Sequence, residues 1–198
     1  MVFSSLFFLY IFLPYCLLLY FLQPRLGGKN AVLIGASLVF YAWGEPVYVL
    51  LMLAVAGLNW GFGLLLEKKP EKWLLAVCVA LNLSSLIVFK YAGFLVENIN
   101  AIFQTALTVP KIALPIGISF YTFQALSYSV DVYRKDVAAQ RSYAKFLLYV
   151  SMFPQLIAGP IVRYVDVAAQ IESREFDPEN IFRGVTRFCV GLGKKVLL

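Results

Sequence analysis

The sequence predicts an all-α protein, a polytopic bundle of transmembrane helices forming a single membrane domain over residues 1–198. Three observations predict it. Of the 198 residues, 61% are apolar and 14% charged, whereas soluble domains run at roughly 45–50% apolar and about 25% charged. Uncharged runs recur that are long enough to cross a hydrocarbon core of about 30 Å as helices. The 17 basic residues, against 11 acidic ones, lie in the breaks between those runs and form no single stripe, which reads as membrane-protein loops and not as a nucleic-acid surface. The 17 Phe, 12 Tyr and 3 Trp, with so little charge, also exclude a disordered chain.

Val2 to Leu22 carries no charge over 21 residues. It lacks the basic start of a signal peptide and is crowded with Phe and Tyr, so residues 2–22 are predicted to be a retained first span. Gln23-Pro24-Arg25 and Gly27-Gly28-Lys29 break it and turn the chain, and a second helix is predicted over 31–43. Gly44-Glu45-Pro46 is a tight turn into a third helix over 47–66, with Tyr41, Trp43 and Tyr48 as interfacial anchors around the tip. The charged loop 67–72 precedes a fourth span over 73–89, closed by Lys90. From Tyr91 to Lys111 apolar and polar residues alternate at helical spacing, which predicts an interfacial helix.

The span predicted over 112–130 differs from the others, because Ser119, Tyr121, Thr122, Gln124, Ser127, Tyr128 and Ser129 all need partners inside protein or water. Residues 131–145 read as a charged connector. The uncharged stretch 146–162 contains Pro154, Gly159 and Pro160, which predicts a broken or re-entrant segment. Asp177-Pro178 signals the start of another helix. Alternating spans place loops 23–30, 67–72 and 131–145 on one face with nine basic residues. The opposite face keeps Lys90 and Lys111, so the basic face is cytoplasmic and the amino terminus lies outside. A re-entrant 146–162 returns Arg163, Arg174, Arg183 and Arg187 to the basic face.

The chain has no His, which excludes Ser-His, Cys-His and H-E-x-x-H arrangements, and it carries no phosphate-binding or dinucleotide-binding glycine motif. Cys16, Cys78 and Cys189 sit in apolar stretches without C-x-x-C spacing and read as small hydrophobes, with no metal site. Phe120, Gln124, Ser127 and Asp131 share one helical face, which either lines a wet cavity or packs hydroxyl and small groups between helices. Asp131 also reads as a helix-end residue paired with Arg134 three positions on. The stretch Phe153 to Arg163 is either broken backbone held against protein or a cavity, or a simple kink.

The patterns Leu114-Pro115-Ile116-Gly117-Ile118-Ser119-Phe120-Tyr121-Thr122-Phe123-Gln124, Tyr128-Ser129-Val130-Asp131-Val132-Tyr133-Arg134 and Phe153-Pro154-Gln155-Leu156-Ile157-Ala158-Gly159-Pro160-Ile161 resemble the membrane-bound O-acyltransferase family. The nearest likeness is to its bacterial branch, which serves alginate O-acetylation and teichoic acid D-alanylation. The opening Met1 to Leu9 and Phe40-Tyr41-Ala42-Trp43-Gly44 are similar to the alginate type, and the resemblance covers the whole chain. It implies part of that family's fold, in a multi-pass protein of the bacterial inner membrane with a periplasmic amino terminus. The implied activity passes an acetyl group from a cytoplasmic donor, acetyl-CoA or another acyl carrier, across the membrane for O-acetylation of an exopolysaccharide such as alginate.

D-alanyl or other wall-polymer transfer is the alternative within the family. A transporter or a non-catalytic membrane scaffold is the alternative outside it, although no inverted repeat of the transporter kind is visible. The implied partners are the lipid bilayer, periplasmic acetyltransferase proteins of a polysaccharide-modification complex and, indirectly, the polysaccharide, with no nucleic acid and no resident cofactor. The family's catalytic His, deep in a central funnel, is expected beyond residue 198, so no catalytic residue is assigned within the chain. Gln124, Ser127, Asp131 and Gln155 are expected to line or brace the funnel as substrate-binding residues. Arg134 and Arg163 are expected at its cytoplasmic mouth, where a phosphate-bearing donor approaches.

Overall fold

Pro14 shapes the first helix. Having no N–H of its own, it follows a π-helical turn, Phe8–Phe12, in which the Leu13 N–H reaches back five residues to the Phe8 carbonyl. Helix α1, Leu13–Leu22, then runs to extended Gln23 and Pro24. The computed structural model describes residues 3, 5–105, 108, 113–156, 159 and 161–197, and no strand occurs among them. Part of the amino-terminal end of the predicted 2–22 span lies outside the described residues.

Helix α2, Leu26–Ala42, starts five residues before the predicted 31–43. Gly27-Gly28-Lys29 was expected to be a turn, but neighbours hold it helical. Lys29 lies 5.3 Å from the centre of the Tyr20 ring, and buried Asn30 donates to the Ile171 carbonyl at 3.4 Å. The Gly44 and Glu45 N–H groups both bond the Tyr41 carbonyl at 3.1 Å, forming the expected turn. Helix α3, Tyr48–Lys68, follows.

Helix α4, Lys72–Leu86, passes through a π turn, Ile87–Tyr91, into helix α5, Ala92–Phe103, without interruption. The predicted end at 89 and the separate helix from Tyr91 are therefore corrected to one continuous element. Lys90 does not stop it, because its flexible side chain leaves sideways to the Ser119 hydroxyl at 3.5 Å. The helix ends at Gln104, whose φ of 49° is left-handed. Most of the predicted continuation to Lys111 lies outside the described residues. Among the described residues two helices, Tyr48–Lys68 and Lys72–Phe103, are long and apolar enough to cross a bilayer. Only 33% and 17% of their most apolar windows are buried, whereas a core helix of a soluble domain would be mostly covered. These outward-facing apolar surfaces are those of a membrane protein.

Helix α6 runs over Ile118–Arg134, later at both ends than the predicted 112–130. Gly117, at φ +76°, sets its start, and a side chain there would meet the Leu156 carbonyl at 3.0 Å. At the other end the Asp136 N–H bonds the Asp131 carbonyl at 2.9 Å. Residues 131–134 are thus helical, because Asp131 finds a charge partner within the fold. Helix α6 is the central element, with Tyr121, Thr122, Gln124, Ala125, Tyr128, Ser129, Asp131 and Val132 buried. It lies parallel to α3. At one end Tyr41 and Tyr48 donate to the Ile116 and Ala113 carbonyls at 3.0 and 2.8 Å, and at the other the Ala139 N–H donates to Glu67 at 2.9 Å. Midway, Gly63 makes room for Tyr128, since a Cβ there would stand 2.5 Å from its ring.

The predicted 146–162 segment resolves into helix α7, Tyr143–Ser151, a break at Met152, and the single turn α8, Phe153–Leu156. The break falls before Pro154, not at it, and residues 157, 158 and 160 lie outside the described residues. Helix α9, Tyr164–Glu172, follows. The free ends of α7 and α9 meet where Lys145 pairs with Glu172. On α2, Asn30 contacts Ile171 while Ser37 accepts the Phe153 N–H at 3.2 Å. Seven residues of helix separate those two contacts, so this hairpin reaches about 10 Å into the bundle and returns. Phe153 seats its tip among Phe8, Phe12 and Phe40, with ring centres 5.4–6.2 Å apart. Helix α10, Pro178–Leu197, begins at the expected Asp177-Pro178, where Asp177 accepts the Glu179 N–H at 2.9 Å.

Candidate functional site

The break in α7 frees a carbonyl. In an unbroken helix the Tyr149 oxygen would accept the Phe153 N–H, but that N–H donates to Ser37 instead. Two side-chain amides replace it, Gln124 Nε2 at 2.8 Å and Gln155 Nε2 at 2.7 Å. The Tyr149 hydroxyl lies 2.8 Å from the Val162 carbonyl and 3.2 Å from that of Gln124, so it ties the returning strand of chain to α6. Gln124 and Gln155 thus converge on a backbone carbonyl. They brace the broken segment.

One to two turns nearer the end of α6, Asp131 is buried and takes a two-pronged bond from Arg163, with Nη2 at 2.5 Å and Nε at 3.3 Å. Asp136 adds a weaker contact to Arg163 at 3.5 Å. The hydrogen bond to Asp131 raises the already high pKa of the Arg163 guanidinium, so the cation is fixed. The expected Asp131–Arg134 pair is corrected: Asp131 faces α9 and bonds Arg163, while Arg134 is exposed and forms no ion pair among the described residues. A shallow groove of about 320 Å³ joins Ser127, Asp131, Arg134 and Arg163 with Phe123, Leu126 and Val130. Ser127 turns its hydroxyl back onto the Gln124 carbonyl at 2.8 Å. Four of the six predicted residues therefore share one groove, and Gln124 and Gln155 lie deeper.

Gln155 also borders an apolar cleft of about 360 Å³ between α1, α2 and the α7–α9 hairpin, lined by Leu13, Leu17, Leu33, Met152 and Phe153. Below the groove, Gln140 organises the mouth of the hairpin. Its amide nitrogen donates to the Tyr164 hydroxyl at 2.8 Å and to Glu172 at 2.9 Å, its backbone N–H donates to the Tyr128 hydroxyl at 2.9 Å, and its carbonyl accepts from Trp60 at 2.8 Å. The ammonium of Lys145, ahead of the Gln140 amide, holds the Glu172 carboxyl below its ordinary pKa. Sequence reasoning missed Tyr149, Ser37 and Gln140, because nothing in their spacing marks them. No cluster of His, Cys, Asp or Glu able to hold a metal occurs among the described residues.

No protein-family model and no solved structure matches the chain. Proteins named as probable O-acetylases and as an O-acetyltransferase do match it, over its whole length, so the chain is a homologue of proteins of that class. More narrowly, it is 41% identical to the probable alginate O-acetylase AlgI of Azotobacter vinelandii, covering 41% of that protein, and 39% identical to the protein of the same name from Pseudomonas aeruginosa, covering 40%. It is 29% identical to a peptidoglycan O-acetyltransferase of Helicobacter pylori, covering 44% of it. The chain spans about two fifths of the length of the alginate O-acetylases it matches.

Proposed function

We propose that the chain forms the amino-terminal part of a membrane-bound O-acyltransferase, with that family's polytopic fold in the bacterial inner membrane, multi-pass and with a periplasmic amino terminus. The enzyme takes an acetyl group from a cytoplasmic donor, acetyl-CoA or another acyl carrier, and passes it across for O-acetylation of an exopolysaccharide such as alginate. The observation that carries this reading is the identity of 38–41%, over the whole of this chain, to part of several probable alginate O-acetylases. The groove supports it. Arg134 and Arg163 stand together at the end of α6, and a pair of guanidinium groups suits a phosphate-bearing donor. Arg134 is the freer of the two, since Arg163 is held by Asp131.

In this reading an acceptor oxygen attacks the thioester carbonyl. A C–O bond forms, the C–S bond breaks, and the acceptor's proton ends on the leaving thiol. The His expected of the family as general base would come from the remainder of the protein, while the chain supplies walls and donor mouth. Periplasmic acetyltransferases would complete transfer to the polysaccharide. The match to a peptidoglycan O-acetyltransferase favours a second acceptor, a wall polymer.

The test is expression of the whole protein in an alginate-producing strain lacking its own O-acetylase, with O-acetyl content of alginate and of peptidoglycan read by proton NMR. Restored alginate acetylation is the expected result, and acetyl on peptidoglycan alone selects the second acceptor. No acetyl on either polymer, with the protein present in the membrane, overturns the reading. Arg134→Gln is expected to raise KM for the donor roughly tenfold or more while leaving kcat little changed, as for loss of one charge-assisted contact.

A further inference from the structure

Helix α10 is the part of the chain that neither the bundle nor the groove uses. It is 20 residues long, about 30 Å. Ile181, Phe182, Val185, Phe188, Cys189 and Leu192 recur at helical spacing and form one apolar stripe. Arg183, Arg187 and Lys194 occupy the opposite side, with Lys195 at the boundary. Glu179, the helix's acid, pairs with Arg183 at 2.5 Å on the exposed surface, a bond that a lipid phosphate can compete for. Every residue from Ile181 to Val190 is exposed, Phe182 by 72%, and α10 takes no part in the main helix packing of the described residues. Only Ile181, at its start, borders a cleft beside Tyr20 and Phe21 of α1. Charges in both halves forbid α10 from spanning a membrane, and bare Phe182, Val185 and Phe188 forbid it from standing in water.

Its place in the fold names the occupant. The approach to α10 is pinned by Phe176, whose ring meets that of Phe21 at 6.2 Å, in the last turn of α1. The helix therefore leaves the bundle at the level where the first apolar helix ends, next to Arg25 and Lys29. The turn between α3 and α4, with Lys68, Lys69 and Lys72, and the loop after α6, with Lys135 and Arg141, lie at that same end, since Glu67 pairs with Arg141 and Gln140 of that loop bonds Glu172, next to the Ile171 that Asn30 meets at the start of α2. An amphipathic helix with a basic polar face, starting at an interfacial plane already rich in cations, matches an anionic lipid surface in polarity and in charge.

We propose that α10 lies in the plane of the bilayer on the basic side of the protein, its Phe182–Val185–Phe188–Cys189 stripe in the headgroup and upper acyl region and its arginines held by anionic lipid. This goes beyond acyl transfer and needs only that the chain be embedded in a membrane. Docking there would hold the α9–α10 connection, and with it Arg163 and the groove, at fixed depth below the headgroups.

The experiment uses the whole protein reconstituted in vesicles of phosphatidylcholine with and without phosphatidylglycerol, carrying one environment-sensitive fluorophore at Cys189. A second preparation, Cys189→Ser with Val190→Cys, places it on the polar side. The expected result is quenching of the Cys189 label by lipids spin-labelled near the headgroup, with iodide quenching at least about fivefold weaker than at position 190. Arg183→Gln with Arg187→Gln is expected to weaken the dependence on phosphatidylglycerol about fivefold for each arginine removed. Free access of iodide to Cys189, or protection from both quenchers whatever the lipid, which would mean another part of the protein covers the stripe, overturns the proposal. Failure of the protein to remain with the vesicles at all would instead remove the membrane placement on which the proposed function rests.

Discussion

The bundle is fastened at its centre by amides, and Asn59→Leu tests how firmly. Asn59 of α3 and Asn82 of α4 exchange side-chain bonds of 2.9 and 3.1 Å, and Ser129 of α6 donates to Asn59 Oδ1 at 3.1 Å. All three residues are at most 2% exposed. Interhelical bonds of this kind in membrane proteins average about 0.6 kcal/mol each, because the unfolded chain in lipid also finds partners. Losing three of them by Asn59→Leu, which keeps side-chain size, therefore costs about 2 kcal/mol. Asn82→Leu removes the two reciprocal bonds and costs about 1.2 kcal/mol.

The double variant cannot lose the shared pair twice. Its cost is expected to fall short of the two single costs together by about 1.2 kcal/mol, well outside the roughly 0.3–0.5 kcal/mol scatter of independent sites. The assay is unfolding of the whole protein in mixed micelles by a denaturing detergent, followed by circular dichroism. Additive costs within that scatter would show that the two amides do not bond each other and would refute the reasoning.

Gly63→Ala is expected to cost about 1–3 kcal/mol in the same assay, because the ring of Tyr128 that it would strike is held by Phe146 and Tyr164 and its hydroxyl by Gln140. Gln124→Ala and Gln155→Ala are each expected to lower stability by about 1 kcal/mol while leaving KM for the acyl donor within about twofold, since both amides serve backbone. Steady-state kinetics beside thermal unfolding separates the two effects. Glu172 has a lowered pKa in the folded state, so its contribution is present above its unfolded value and is lost as pH falls through the folded one. Wild type is accordingly expected to exceed Glu172→Gln in stability by less than about 1 kcal/mol between pH 5 and 7, with the gap closing below about pH 4.

Much of the helix order was legible in the sequence because uncharged runs and breakers are local signals. Gly44-Glu45-Pro46 and Asp177-Pro178 sit where expected, and α3 departs from 47–66 by one or two residues. Errors arose where tertiary contact overrides local pattern. Gly27 and Gly28 are helical because Lys29 and Asn30 find partners on Tyr20 and Ile171, both invisible to local reading. Lys90 resembles a stop, yet one cation can leave a helix sideways. The polar face of α6 was legible as polar, but its direction was not. Spacing brought Asp131 to Arg134, whereas the return of the chain from α8 delivers Arg163 to it from 32 positions away.

That return also explains why the braces had to be amides. A segment that breaks its helix inside a membrane protein must satisfy each freed backbone group from within. At this break the Phe153 N–H goes to Ser37, the Tyr149 carbonyl to Gln124 and Gln155, and the Val162 carbonyl lies beside the Tyr149 hydroxyl. A carboxylate in place of either glutamine would face a carbonyl oxygen with no proton to offer, and an apolar side chain would leave that carbonyl with one donor in place of two. Neutral donors are what the geometry requires. Gln124 and Gln155 are thereby committed to the scaffold, as Ser127 is to its own helix and Asp131 to Arg163. Arg163 turns only part of its half-exposed guanidinium onto Asp131, and the exposed guanidinium of Arg134 is the freest of the six predicted polar groups, which is why, under the proposed function, its substitution should move donor binding most while those of Gln124 and Gln155 should move stability.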